Sequence, residues 1–283
     1  MSVRRSSPTV GRRRLGFELR RLREHAGVTI DTVADGLECS ASKISRIETG
    51  HIGVSPRDVR DMLAVYGIDG NEADDLVQVA RDARQKGWWQ AYGTVLTGAY
   101  VGLEAAAARI YTYEAQLVPG LLQLPDYARA VIRAARPDIT NELLDRRIEV
   151  RNIRQSLLSQ EDPLDFWVVL DEAAFHREVG SRSIMRAQLE WLVEQASRPN
   201  ITIQVLPFAV GAHAGMDGTF AILQYEEAVD PDVVFAENAA GGLFLEKDDE
   251  LTRYRTIFDN LRNVALPPDR SVEVIAAKTR EFQ

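Results

Sequence analysis

The sequence holds one cysteine among its 283 residues, Cys39. A lone thiol excludes an internal disulfide and a cysteine-based zinc site, and it fits a reducing compartment. Cys39 itself reads as a buried residue of a turn. Long apolar runs are missing too. No stretch approaches the ~20 residues that span a bilayer, and the basic N-terminus, Met1 to Arg14, lacks the apolar run of a signal peptide. A cytoplasmic protein with no membrane partner is expected. Internal repeats are absent, as are low-complexity tracts beyond the first ten residues. The hydrophobic fraction of 45% with 27% charged residues belongs to a chain with packed cores. Its length predicts two domains.

Net charge is −8, which by itself argues against nucleic acid, but the charge is uneven. Residues 1–60 hold 12 Lys and Arg against 7 Asp and Glu, and the remainder holds 22 against 35. A basic head therefore precedes an acidic body, an arrangement that orients the head toward phosphates.

Residues 1–10, rich in Ser, Pro and Arg, read as a flexible arm. Five short helical patterns follow over 11–85. In the first, Gly11 to His25, Leu15, Phe17 or Glu18, Leu19 and Leu22 form an apolar stripe. Arg12, Arg13, Arg14, Arg20 and Arg21 turn outward. Gly27 stops this helix. Thr29 caps a second, Ile30 to about Leu37, with Ile30, Val33, Ala34 and Leu37 on one face. After the break Glu38–Cys39–Ser40, Ser40 caps a third, Ala41 to about Glu48. Ile44 and Ile47, three apart, must face the core, which leaves Ser42, Lys43, Ser45, Arg46 and Thr49 on or near the outer face. Ser55–Pro56 opens a fourth helix that continues through Val59, Leu63 and Val65 or Tyr66 to Gly67. The fifth runs from Asn71 to Gln85 with Leu76, Val79 and Ala80 as its apolar residues.

Two helices joined by a turn of about 3–4 residues are a helix-turn-helix, whose second helix lies in the DNA major groove. Arg and Lys donate to guanine O6 and N7, and Ser bonds to several base pairs, so Ser42, Lys43 and Arg46 are the candidate base readers. The segment Thr29 to Gly50 resembles the phage-repressor-like, xenobiotic-response-element family, carried by Ile44, Ser45, Arg46, Ile47, Glu48 and Gly50. The resemblance implies phosphate contacts for Thr29 and Ser40 at helix N-termini. It also implies a scaffolding ion pair between Arg23 and Glu48. Ile30 stands where the family commonly has Gln, which removes a phosphate contact. Glu38 stands where it commonly has Gly, at a position that often has positive φ, so a rearranged or strained turn is expected. Arg57 and Arg60 open the fourth helix within reach of phosphates. Arg4, Arg5 and Arg12 to Arg14 add sequence-independent attraction. Solvated surface charge is an equal reading for all of these.

The body alternates helices with β-rich runs. Helices are expected over Gly102–Tyr113, Asp126–Ala135, Asn141–Leu158, Ser183–Ala196, Asp248–Leu266 and Ser271–Phe282. Strands are expected over Phe166–Leu170, Ile201–Leu206, Thr219–Tyr225, Val233–Glu237 and Gly242–Leu245. The last three follow one another without a helix, which predicts antiparallel pairing and an α+β domain over 86–283, a sheet covered by helices behind the five-helix head.

From Lys86 the sequence resembles a domain of unknown function, DUF5753, attached to such heads in actinobacterial regulators. The resemblance rests on Lys86–Trp89, Tyr100–Ala105, Tyr113–Glu114, Gln116–Gln123, Asp126–Ala128, Leu170–Ala174, Gln204–Phe208 and Gly211–Gly215. It implies a regulator often encoded beside a small DUF397-type protein, and it implies no catalytic residues.

Asp171, Glu172, His176 and His213 match no zinc or triad spacing and read as strand-end or loop residues. Trp88 and Trp89 either pack between domains or line a pocket. The loop Gly211–Gly218 is a plain turn or a ligand site. The expectation is a cytoplasmic, nucleoid-associated regulator, not an enzyme, with no cofactor or metal. It would act as a homodimer on double-stranded DNA. Three roles stay open for the body: binding a DUF397-type protein, sensing a small molecule, or acting as an enzyme or toxin tethered to DNA.

Overall fold

A computed structural model of the chain describes residues 8–83, 98–226, 231–238 and 241–282. Residues 1–7 of the expected arm, the Lys86–Trp89 segment with both tryptophans, and the expected boundary near residue 85 lie outside the described residues.

The head holds the helices α1 (Pro8–His25), α2 (Ile30–Gly36), α3 (Ala41–Glu48), α4 (Pro56–Tyr66) and α5 (Gly70–Asp82). Helix α1 starts three residues earlier than expected, because Pro8 has its φ preset for a first helical turn. Residues 8–10 of the expected arm are therefore helical, and Val10 packs into the core of the body. Leu15, Leu19 and Leu22 are buried as their spacing requires. Phe17, at 49% exposure, is not part of the stripe. Arg13 does not turn outward. It is buried, and its Nη2 lies 3.0 Å from Glu246 of the body. In α5 the buried residues are Ala73, Val77 and Ala80, while Leu76 and Val79 are only half buried. Helix α1 crosses the end of α3 at Gly16, where a Cβ would sit 2.4 Å from the Ile47 carbonyl oxygen, so only glycine permits that approach.

The body contains α6 (Gly98–Ala106), β1 (Arg109–Glu114), α7 (Pro125–Ala135), α8 (Asn141–Gln155), β2 (Asp165–Asp171), α9 (Ala173–His176), α10 (Arg182–Gln195), β3 (Ile201–Leu206), β4 (Phe220–Gln224), β5 (Val233–Asn238), β6 (Gly241–Leu245), α11 (Asp248–Val264) and α12 (Pro268–Glu281). The strands form one sheet in the order β3-β2-β1-β4-β5-β6. β1, β2 and β3 run parallel, and β4, β5 and β6 form the expected antiparallel part.

One sequence expectation fails here. Gly102–Tyr113 is not one helix, since α6 ends at Ala106 and β1 starts at Arg109. The alanines at 105–108 extend a helical pattern, but Ile110, Tyr111, Thr112 and Tyr113 are β-branched or aromatic and find ladder partners on both sides, β2 and β4. The missed segment is an inner strand of the sheet. Alternate residues of each strand face opposite layers. Ile110, Val168, Ile203 and Leu223 pack under α6, α7, α10 and α12, and Tyr113, Val169, Ile222 and Val234 pack under α11. Helix α8 packs on α7 through Leu144 and Ile148. Head and body meet where α1 lies against α6. Among the described residues no helix is long and apolar enough to cross a membrane.

Candidate nucleic-acid interface

The two helices of the motif are set by their caps. Thr29 Oγ1 accepts from the Thr32 N–H at 3.1 Å, and Ser40 Oγ accepts from the Lys43 N–H at 3.2 Å. Each bond satisfies a helix-end donor that would otherwise be free. Between them Glu38 adopts φ +50°, the one positive φ outside glycine among the described residues. The turn thus keeps the left-handed geometry expected there, with a side chain where glycine has no steric cost. Cys39 N–H closes the turn on the Ala34 carbonyl at 2.9 Å.

Ile44 and Ile47 are fully buried and fix the rotation of α3. Behind them the Arg23 guanidinium binds Glu48 with both arms, at 2.7 and 3.0 Å, and donates a third bond to the Val28 carbonyl at 2.9 Å. Both residues are buried, and Arg23 is scaffold. The hydrogen bond from Arg23 to Glu48, with that charge, raises the Arg23 pKa above its ordinary value against burial.

The outer face of α3 presents Ser42, Ser45, Arg46 and Thr49 to solvent. The Thr49 hydroxyl turns back onto the Ser45 carbonyl at 2.8 Å. Arg46 has no ion-pair partner among the described residues, and neither the third nor the fourth residue on either side of it is acidic. Lys43 differs: half exposed, it donates from Nζ to Asp58 Oδ2 at 3.2 Å. Burial pushes the Asp58 carboxyl up, but hydrogen bonds from Ser55 and Lys43 outweigh it and hold the carboxyl below its ordinary value. Sequence reasoning missed Asp58, although Ser55–Pro56 had already located the start of α4, where an acidic side chain is favoured. Arg57 is 91% exposed with Asp61 at 3.8 Å, and Arg60 is exposed with Asp74 at 3.4 Å.

The four acid and histidine residues of the body come together in two pairs. Asp171 Oδ2 accepts from the Tyr113 hydroxyl at 3.2 Å and lies 3.7 Å from His213 Nε2. Glu172 reaches His176 at 3.2 Å and accepts from the Phe208 N–H at 2.7 Å. These bonds tie the end of β2 to the 207–215 loop. Gly215 lies against the Tyr113 ring, where a Cβ would approach to 2.6 Å. Among the described residues no group of three or more His, Cys, Asp or Glu is placed to hold a metal ion.

A cap, a left-handed turn, a buried ion-pair scaffold and an outward Ser and Arg face define a helix-turn-helix, and a family model described as a helix-turn-helix domain matches residues 14–76. The chain is a DNA-binding regulator. A second family model, described as a domain of unknown function (DUF5753), matches residues 97–277, more than half of the chain, and the chain belongs to that family. No curated protein and no solved structure matches the chain.

Proposed function

We propose that the chain is a sequence-specific transcriptional regulator that reads bases with Ser42, Lys43 and Arg46. The exposed, unpaired guanidinium of Arg46 on a helix anchored by Ile44 and Ile47 carries this reading. Arg pairs with guanine through two donors, a contact worth about 1–3 kcal/mol of discrimination. Lys43 must exchange Asp58 for a base, so its net contribution is smaller. Thr29 and Ser40 place helix N-termini on phosphates, Ser45 and Thr49 flank the groove, and Arg57 adds a backbone contact.

The regulator acts as a homodimer in the cytoplasm on the nucleoid, reading half-sites about one helical turn apart. The body receives the signal. The DUF5753 resemblance supports a small DUF397-type protein as its partner. A cavity at the end of β1, lined by arginines of α8, favours a small molecule as a second reading. The contact of α6 with α1 supports a connection between body and head in either case.

A genome-wide binding profile of the full chain, repeated with Lys43→Ala and Arg46→Ala, tests base reading. Occupancy at the strongest sites is expected to fall most for Arg46→Ala. Unchanged sites and affinity in both variants would sink the recognition-helix assignment. Co-purification with a neighbouring DUF397-type protein at micromolar concentration tests the partner.

A further inference from the structure

A cavity of about 430 Å³ opens at the end of β1, within the usual range for small-molecule sites. Thr112 and Glu114 of β1 line it, and so does one face of α8, which contributes Arg147, Arg151 and Arg154. These arginines are four and three residues apart, so they stack along the helix. None has an acidic residue three or four positions away in either direction. Like charges at that spacing weaken a helix. Arg146 on the outer side shows the ordinary solution, an ion pair with Glu142 at 3.1 Å.

The charge inside the cavity is not balanced. Arg154 is satisfied by Glu104 of α6, at 2.5 and 2.7 Å, and lies over the Tyr100 ring. Arg151 binds the Gln123 amide oxygen and, among the described residues, no carboxylate. Arg147 Nε is buried without a hydrogen-bond partner. Burial and the neighbouring arginines lower both pKa values, that of Arg151 to about 10, where its guanidinium stays charged at neutral pH. Burial pushes the Glu114 carboxyl up to about 8, which leaves it mostly protonated at neutral pH and able to donate. Arg136 and the exposed Glu237 also line the cavity, and the Glu237 charge offsets only part of the positive charge around Arg147 and Arg151. The rest of the lining includes Val118, Val131, Ile132 and Phe235.

We propose that this cavity binds a small organic anion, a carboxylate or phosphate monoester on an apolar body, with Arg147 and Arg151 as the anion holders. The planar guanidinium matches such groups with two parallel bonds. The apolar wall accepts the remainder of the molecule, and a partner-free buried Nε gains the bond that it lacks. The site is separate from DNA reading and is measured without DNA.

Calorimetric titration of the full chain with phenyl phosphate and with 4-phenylbutyrate tests the site, with 4-phenylbutanol and inorganic phosphate alongside. Saturable binding of at least one organic anion is expected, about tenfold weaker in Arg147→Gln and in Arg151→Gln and unchanged in Arg46→Ala. The alcohol and inorganic phosphate should bind far more weakly. Circular dichroism confirms folding, and if Arg151→Gln does not fold, Arg147→Gln at the half-open wall decides. No saturable binding of either organic anion at millimolar concentration overturns the proposal. So does equal affinity in the Gln variants, or loss of binding in Arg46→Ala, which would put the anion on the head.

Discussion

The two arginine-bearing helices that distinguish head from body are built from the same local pattern and turned in opposite directions. Arg46 on α3 and Arg147, Arg151 and Arg154 on α8 all lack an acidic neighbour one turn away. On α3 the opposite side, Ile44 and Ile47, is fully buried, so Arg46 faces open solvent. On α8 the arginines face a concave wall with β1 beneath them. An uncompensated guanidinium on a surface suits a large polyanion, and one in a cavity of a few hundred cubic ångströms suits a small one. Both regions also contain a buried, bidentate Arg–Glu pair, Arg23–Glu48 in the head and Arg154–Glu104 in the body. These pairs hold the elements that carry Arg46, Arg147 and Arg151.

The largest expected effects come from those pairs. Glu48→Gln and Glu104→Gln each leave a buried guanidinium without its counter-charge, which costs about 3–5 kcal/mol. Thermal unfolding followed by near-UV signals of the two regions should show a drop in the head for the first and in the body for the second. Equal, small shifts in both would break the comparison.

Glu114 should give the next largest effect. Its folded-state pKa of about 8 stands above its ordinary 4.5, so between these values the native state holds a proton that the unfolded chain has released. Stability therefore falls as pH rises through that window, by at most about 1.4 kcal/mol per pH unit from this group. Thr112, Glu237 and Arg151 face the same carboxyl, and their charges and hydrogen bonds stay in place in Glu114→Gln. Urea titrations from pH 5 to 8 should show a shallower pH dependence in that variant. An unchanged slope would mean that the carboxyl ionises in the folded state as it does in water.

Arg46→Ala and Arg57→Ala separate base reading from backbone attraction. The first should cost about 1–3 kcal/mol at selected sites and little at random DNA. The second should weaken all sequences alike and lower the slope of log affinity against log salt by about one. Quantitative binding over a salt series measures both. Identical behaviour of the two variants would remove the distinction between reader and anchor.

The smallest effect belongs to the turn. Glu38→Gly relieves a left-handed φ on a residue with a Cβ but loosens the unfolded chain, so a gain of about 1 kcal/mol or less is expected. A lower melting temperature would show that the Glu38 side chain contributes a contact that outweighs its strain.

The sequence determined the head almost alone. Caps at Thr29, Ser40 and Ser55, glycine stops at Gly27, Gly50 and Gly67, and isoleucines three apart are local signals, and local hydrogen bonds and burial obey them directly. The outward face of α3 followed from the inward one. Asp58 escaped because pairing it with Lys43 needs the α3–α4 angle. Arg13 escaped because its partner Glu246 lies in the other region. In the body, local signals placed most elements but failed at β1, where alanines favour helix and only pairing with β2 and β4 decides for strand. The cavity needed the whole fold. In sequence Arg147, Arg151 and Arg154 are charges at helical spacing, and only the packing of α7, α8 and β1 turns that face inward. Burial and enclosure are properties of several elements together, and no stretch of chain encodes them by itself.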